Sequence, residues 1–176
     1  MIKQMKKLNL LALFSGLCAL TFSLPLIAQD KPLSPKMSAS EMVGSAKITI
    51  NYNAPSVRGR KIWGELVPFD KVWRTGANEA TTFTTDKDIM LDGKSLKAGT
   101  YALLTIPKAN EWVIIFNTNT SMWGSNGYDQ AKDALRLTVK PTMGTSVTEQ
   151  MKFAVGKDGK VSLAWEKVTV SFTVKA

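Results

Sequence analysis

Residues 151–175 read MKFAVGKDGKVSLAWEKVTVSFTVK and carry the clearest pattern in the chain. Met151, Phe153 and Val155 alternate, Lys157-Asp158-Gly159 turns, and Val161, Leu163 and Trp165 alternate back. Val168, Val170, Phe172 and Val174 then share one side, with Thr169, Ser171, Thr173 and Lys175 on the other. Successive side chains leave a pleated backbone on opposite faces, so a period of two marks a half-buried strand.

The same signature recurs toward the N-terminus. Ile48, Ile50 and Tyr52 alternate with Lys47, Thr49 and Asn51, and Ser38 to Val43 pairs with them across Gly44-Ser45-Ala46. Asp92-Gly93, between Ile89-Met90-Leu91 and Lys94-Ser95-Leu96, is a two-residue hairpin signal. Strands are expected at Glu79 to Thr85 and at Thr100 to Ile106. Trp112-Val113-Ile114-Ile115-Phe116 is apolar without alternation, which predicts a strand buried on both sides. Asn117 to Gly127 is a polar loop holding Trp123, followed by one or two helical turns over Asp129 to Ala134. Leu135, Leu137 and Val139 alternate up to the stop at Pro141. Roughly nine or ten short strands with little helix predict an all-β, single-domain antiparallel sandwich or jelly-roll-like fold. A partly open β-barrel is the alternative architecture.

The chain opens differently. Lys3, Lys6 and Lys7 precede an apolar run from Leu8 to Ile27, closed by Ala28-Gln29-Asp30. That order describes a secretory signal peptide over residues 1–28, cleaved near Ala28. A retained membrane anchor is the other reading, but Ser15, Gly16, Thr21, Ser23 and Pro25 dilute the run. Residues 29–37, QDKPLSPKM, read as a linker, and 38–176 as the domain, with no spanning segment of its own. The protein is therefore expected to be exported, to the periplasm or beyond the cell.

Two absences bound the chemistry. Cys18 is the single cysteine and lies in the leader, behind Leu17, where lipidation expects a small residue. The mature chain is left without disulfide or thiol. There is no histidine, which removes Ser-His-Asp and Cys-His catalysis and the usual imidazole metal centres. No cofactor motif and no metal site is read from the sequence. Cleavage removes three lysines and no acid, leaving 20 basic against 14 acidic residues, a net +6. Such an excess favours polyanionic glycans or lipid head groups. Nucleic acid is a poor partner for an exported chain, and scattered lysines on solvated strand faces are the first explanation of the charge.

The candidate site is PSVRGRKIWGELVPFDKVWRTGANEATTF, residues 55–83. Pro55, Gly59, Gly64, Pro68 and Gly76 break it too often for a long helix, leaving at most one turn near Ile62 to Leu66. Arg58, Arg60 and Arg74 offer planar, permanently charged forks suited to carboxylate, phosphate or sulfate. Trp63, Trp73 and, from the later loop, Trp123 offer flat faces, while Asn78, Glu79 and Asp129 are suited to hydroxyls. The competing reading makes the tryptophans core and pairs Arg74 with Glu79 across the Gly76 turn.

This stretch, together with AGTYALLTIP, WVIIFN and GYDQAKDALRLTVKP, resembles the DUF2911 family over about Ser34 to Lys175. The resemblance implies an exported protein of Bacteroidetes-type bacteria and supplies no activity, because that family has none assigned. Two functional classes follow from the residues. One is a binding module for an anionic or polar envelope ligand such as a glycan, using Arg58, Arg60, Trp63, Trp73, Arg74, Asn78, Glu79 and Trp123. The other is a glycosidase-like hydrolase in which Glu79 works with Asp70 or Asp129, which requires two carboxyls about 5–10 Å apart in one cleft.

Overall fold

The computed structural model describes residues 33–176. The expected signal peptide and the start of the linker lie outside the described residues. Ten strands follow in order: β1 Lys36–Val43, β2 Ala46–Asn53, β3 Thr82–Thr85, β4 Ile89–Leu91, β5 Lys94–Leu96, β6 Gly99–Pro107, β7 Trp112–Asn117, β8 Asp133–Val139, β9 Thr142–Val155 and β10 Lys160–Lys175. They form a six-stranded sheet, β1-β2-β3-β6-β7-β8, and a four-stranded sheet, β5-β4-β10-β9. Every pairing is antiparallel, and each sheet keeps its own ladder, so the fold is the sandwich rather than a barrel. β1 begins at Lys36, inside the expected linker, because Lys36 and Met37 find partners opposite Asn53 and Tyr52. Among the described residues no helix is long and apolar enough to cross a membrane.

Alternation sets the core. In β2 the side chains of Ala46, Ile48, Ile50 and Tyr52 turn inward, against Phe153 of β9 and the rest of the main apolar cluster. Asp92 and Gly93 take φ of 45° and 82°, the left-handed pair that a tight two-residue hairpin requires. Val161 to Trp165 and Val168 to Val174, each regular by itself, belong to one strand. Glu166, at φ 55°, interrupts the register against β9 and shifts the inward phase, so Trp165 and Val168 both face the core. Opposite this point β9 passes from Thr148 to Met143 while β10 advances only from Glu166 to Val168, so Gly144 to Val147 arches outward and is exposed.

β6 and β7 are buried on both faces, as the unalternating run predicts. Their outer face carries a second apolar cluster of Ala80, Ala102, Leu104, Ile115 and Met122, with Tyr128 and Val72 against it. The loop from Thr118 to Tyr128 thus packs on the sheet instead of projecting from it. Its far end is tied by Asp133, whose carboxylate accepts from Asn117 Nδ2 at 2.7 Å, Tyr128 Oη at 2.8 Å and Arg136 Nε at 2.6 Å. The expected helix shrinks to a 3-10 turn, Gln130–Lys132, capped by Asp129.

The irregular stretch 54–81 joins the two sheets. Val57 N–H donates to Glu149 O at 2.8 Å and Met151 N–H to Pro55 O at 2.8 Å, covering part of the β9 edge. Further on, Trp73 exchanges two backbone bonds with Thr105, and Leu103 N–H donates to Thr81 O. Residues 73–81 therefore continue the large sheet beside β6 beyond the short β3, and loop out between those anchors. At Ile62 to Leu66 the chain makes a turn and not a helix: Glu65 N–H donates to Ile62 O at 3.4 Å, and Val67 N–H closes on the same carbonyl at 2.9 Å.

Candidate functional site

The indoles divide. Trp63, Trp73, Trp112 and Trp165 pack together, with ring centroids 4.9 Å apart for Trp63–Trp112, 5.7 Å for Trp63–Trp165 and 5.8 Å for the stacked pair Trp73–Trp165. Most contacts are edge to face, which suits the ring quadrupoles. Trp63 and Trp73 are thus not the outward platforms of the binding reading. The apolar area of an indole outweighs its single polar atom, so an irregular segment lying over the sandwich turns its tryptophans inward. Trp123 is the exception, 63% exposed on the loop over the second cluster.

The arginines divide as well. Arg58 is spent locally: one terminal nitrogen donates to Leu33 O at 3.0 Å. Arg60 folds back on its own turn, donating from Nε to Val57 O at 3.1 Å and from Nη2 to Ser56 O at 2.6 Å. Arg74 does neither. It is half-buried, its Nε is buried with no hydrogen-bond partner, and among the described residues no carboxylate pairs with it. Burial pulls its pKa down from the ordinary guanidinium value.

Arg74 stands between two clefts. The first, of about 170 Å³, is walled by Arg60 and Arg74 and floored by Trp73, Trp165 and Val67. The second, of about 230 Å³, joins Arg74 to Asn78, Trp123, Gly124, Ser125 and Asn126. The geometry of residues 74–81 is fixed from beneath. Thr75 is fully buried at φ 55°, a conformation a β-branched residue rarely adopts. It is held there by its hydroxyl on Thr105 at 3.1 Å and by the Thr81 hydroxyl on its carbonyl at 2.7 Å. A Cβ on Gly76 would meet Asn53 O and Thr81 Oγ1 at 3.0 Å, so only glycine lets the loop lie this close. Backbone strain held by buried hydroxyls is characteristic of sites where one side chain must be presented in one direction.

Asn78, exposed at φ 58°, lines the second cleft as expected. Glu79 does not pair with Arg74. Its carboxylate accepts from Asn53 Nδ2 at 2.9 Å and lies 3.9 Å from Lys36 Nζ, in a third cleft of about 490 Å³ along β1 and β2. A backbone N–H bond lowers its pKa most; desolvation opposes this, and Asn53 and Lys36 lower it further. Asp70 sits elsewhere, by Lys108 and Glu111 at the β6–β7 turn, and Asp129 is the cap of the 3-10 turn. The three acids offered for hydrolysis thus lie in three places, and no second carboxylate lines the Glu79 cleft.

A general acid needs a raised pKa, and Glu79 has the opposite. Its contribution to stability is present above the usual carboxyl value of 4.5 and is lost as pH falls through the lower folded value. Carbon NMR titration of the Glu79 carboxyl is expected to give a midpoint below 4.5, and Asn53→Ala to move it back upward. A midpoint above 4.5 would restore Glu79 as a candidate acid.

Gly124, Ser125, Asn126 and Trp165 belong to the clefts and were not singled out from the sequence. Gly124 lies at φ 70° with Arg74 Nη1 3.5 Å from its would-be Cβ. The backbone bridge between Glu79 and Trp123 brings this loop to the site, and a pairing outside any named strand leaves no periodic trace. A family model described as a protein of unknown function (DUF2911) matches residues 34–174. No curated protein and no solved structure matches the chain.

Proposed function

The chain belongs to the DUF2911 family, and from that premise we propose that it is a binding module for an anionic or polar envelope ligand, of which an acidic glycan fits best. The observation that carries this is Arg74: a half-buried guanidinium with a buried, unbonded Nε and no counter-charge among the described residues. A folded chain leaves a desolvated charge unpaired at a cost, and an incoming oxyanion removes that cost. Trp123 supplies an exposed face beside it, with the amides of Asn78 and Asn126 and the Ser125 hydroxyl within the same cleft. The secretory leader expected over residues 1–28 makes an envelope or extracellular glycan the natural ligand. Two-acid hydrolysis by Glu79 finds no second carboxylate in its cleft, and Asp70 shares its own cleft with Glu111, which is paired with Lys108 at 3.0 Å, rather than with Glu79 or Asp129.

The test is an array of sulfated, uronate-containing and neutral glycans probed with the labelled protein at two salt concentrations. Retention on acidic glycans that weakens with salt is expected. Retention indifferent to glycan charge, or none on any glycan, overturns the proposal.

A further inference from the structure

The two clefts beside Arg74 are unlike, and the difference bears on which part of a ligand each receives. The Arg60–Arg74 cleft has a dry floor, with Trp165 1%, Val67 2% and Trp73 8% exposed. Arg60 is clamped by the Val57 and Ser56 carbonyls and faces the unpartnered Arg74 across a space with no carboxylate in its lining. Among the described residues, the buried side-chain polar atoms without a partner are Trp63 Nε1, Arg74 Nε and Trp165 Nε1. All three are N–H donors; Arg74 and Trp165 line this cleft, and Trp63 packs on Trp165 behind it. Unpartnered donors with no carboxylate among the lining are the complement of an oxyanion. The space, about 170 Å³, equals roughly five or six waters, which suits one acid-bearing ring and not a chain passing through.

The neighbouring cleft is lined, Arg74 apart, by neutral groups with Trp123 at its rim. Across the Glu79–Trp123 bridge it is followed by the cleft that contains Asn53, Lys36 and Glu79. Cationic walls therefore stand at one end of the series and a carboxylate at the other. Glu79 is only loosely paired there, with the exposed Lys36 3.9 Å away, so a polymer with an acid on every ring would set one of its charges near that carboxylate, a repulsive element that disfavours polyanions.

We infer, building on the binding reading above, that this domain recognises the acidic end of an otherwise neutral glycan: a terminal uronate between Arg60 and Arg74, the next ring on Trp123, and further neutral rings toward Asn53 and Glu79. The recognised feature is an end group. Internal acidic rings of a long polyuronate are disfavoured by the small size of this cleft, about 170 Å³.

Calorimetry with four probes tests this: trisaccharides of two neutral hexoses ended by glucuronate or galacturonate, the same compounds with the carboxyl reduced to the alcohol, a triuronate, and a tripeptide with a free C-terminal carboxylate. At least one acid-ended trisaccharide is expected to bind, with reduction of its carboxyl weakening it about 30-fold or more, the range for unpairing a buried charge. Arg60→Ala is expected to erase that discrimination. Because Arg60 also staples its turn, a second variant is used: Glu79→Gln, whose side chain is half-exposed, is expected to improve the triuronate alone. Equal binding of acid-ended and reduced compounds overturns the end-group inference while glycan binding stands. Tightest binding of the triuronate also overturns it. Preference for the tripeptide assigns the pocket to peptide ends and removes the glycan. No binding of any probe, with a blank array, removes both readings together.

Discussion

Trp165→Ala is expected to cost about 3–5 kcal/mol, the usual range for deleting a fully buried aromatic. Trp165 is 1% exposed, stacks on Trp73 at 5.8 Å and meets Trp63 edge-on at 5.7 Å. It is the point where β10 touches the irregular stretch, so its loss opens a cavity between the sheet and the residues that present Arg74. A domain of this size has about 5–15 kcal/mol in all, so the change consumes a large share. The melting temperature is expected to fall by roughly 10–20 °C, scaling the usual few degrees per kcal/mol. Trp123→Ala is the control. At 63% exposure it is expected to stay within about 0.5 kcal/mol of wild type. Urea unfolding of both variants checks the pair, and comparable losses would mean that Trp123 is structural after all.

Arg74→Met is expected to separate binding from stability. The methionine keeps an apolar stem along Gly124 and Trp73 and removes the charge. Truncating a buried charge that meets a ligand anion costs about 2–5 kcal/mol of binding, which is roughly 30- to 4,000-fold in affinity. The folded protein without ligand loses nothing, since the guanidinium has no partner there, and gains by no longer holding a desolvated charge. Unchanged or higher melting temperature with lost glycan binding is the expected combination, the pattern of a residue kept for function at the expense of stability. A melting temperature several degrees lower with glycan binding intact would make Arg74 a structural residue and leave the clefts without a purpose.

The strands were legible because alternation is local. Ile48-Thr49-Ile50, Met151-Lys152-Phe153 and Val168 to Val174 announce their faces through their own side chains, and Asp92-Gly93 announces its turn through its φ. Residues 55–81 have no period, so nothing in their order says which side chains turn inward. That is decided by distant partners: Thr105 for Trp73 and Thr75, Glu149 for Val57, and the indoles of Trp112 and Trp165 for Trp63. Of the residues that composition singles out, Arg60, Arg74, Asn78 and Trp123 line adjoining clefts. Of the two tryptophans within the stretch, Trp73 instead builds the floor of one cleft and Trp63 packs behind it, and Arg58 and Glu79 lie outside both of these clefts. The two C-terminal runs looked like separate strands because a bulge at Glu166 reverses the phase without ending the ladder.

The small sheet has a kinetic consequence. Its hairpins, β4–β5 and β9–β10, are local, but they meet over a short ladder, where Leu91 faces Val174 and Met90 faces Lys175, extended by two hydrogen bonds between Asp92 and Thr173. Closing so long an intervening segment is entropically unfavourable before any contact rewards it, so this docking is the natural slow step of refolding. Until it happens both hairpins expose their apolar sides, and the interval is when intermolecular association competes with completion of the native state.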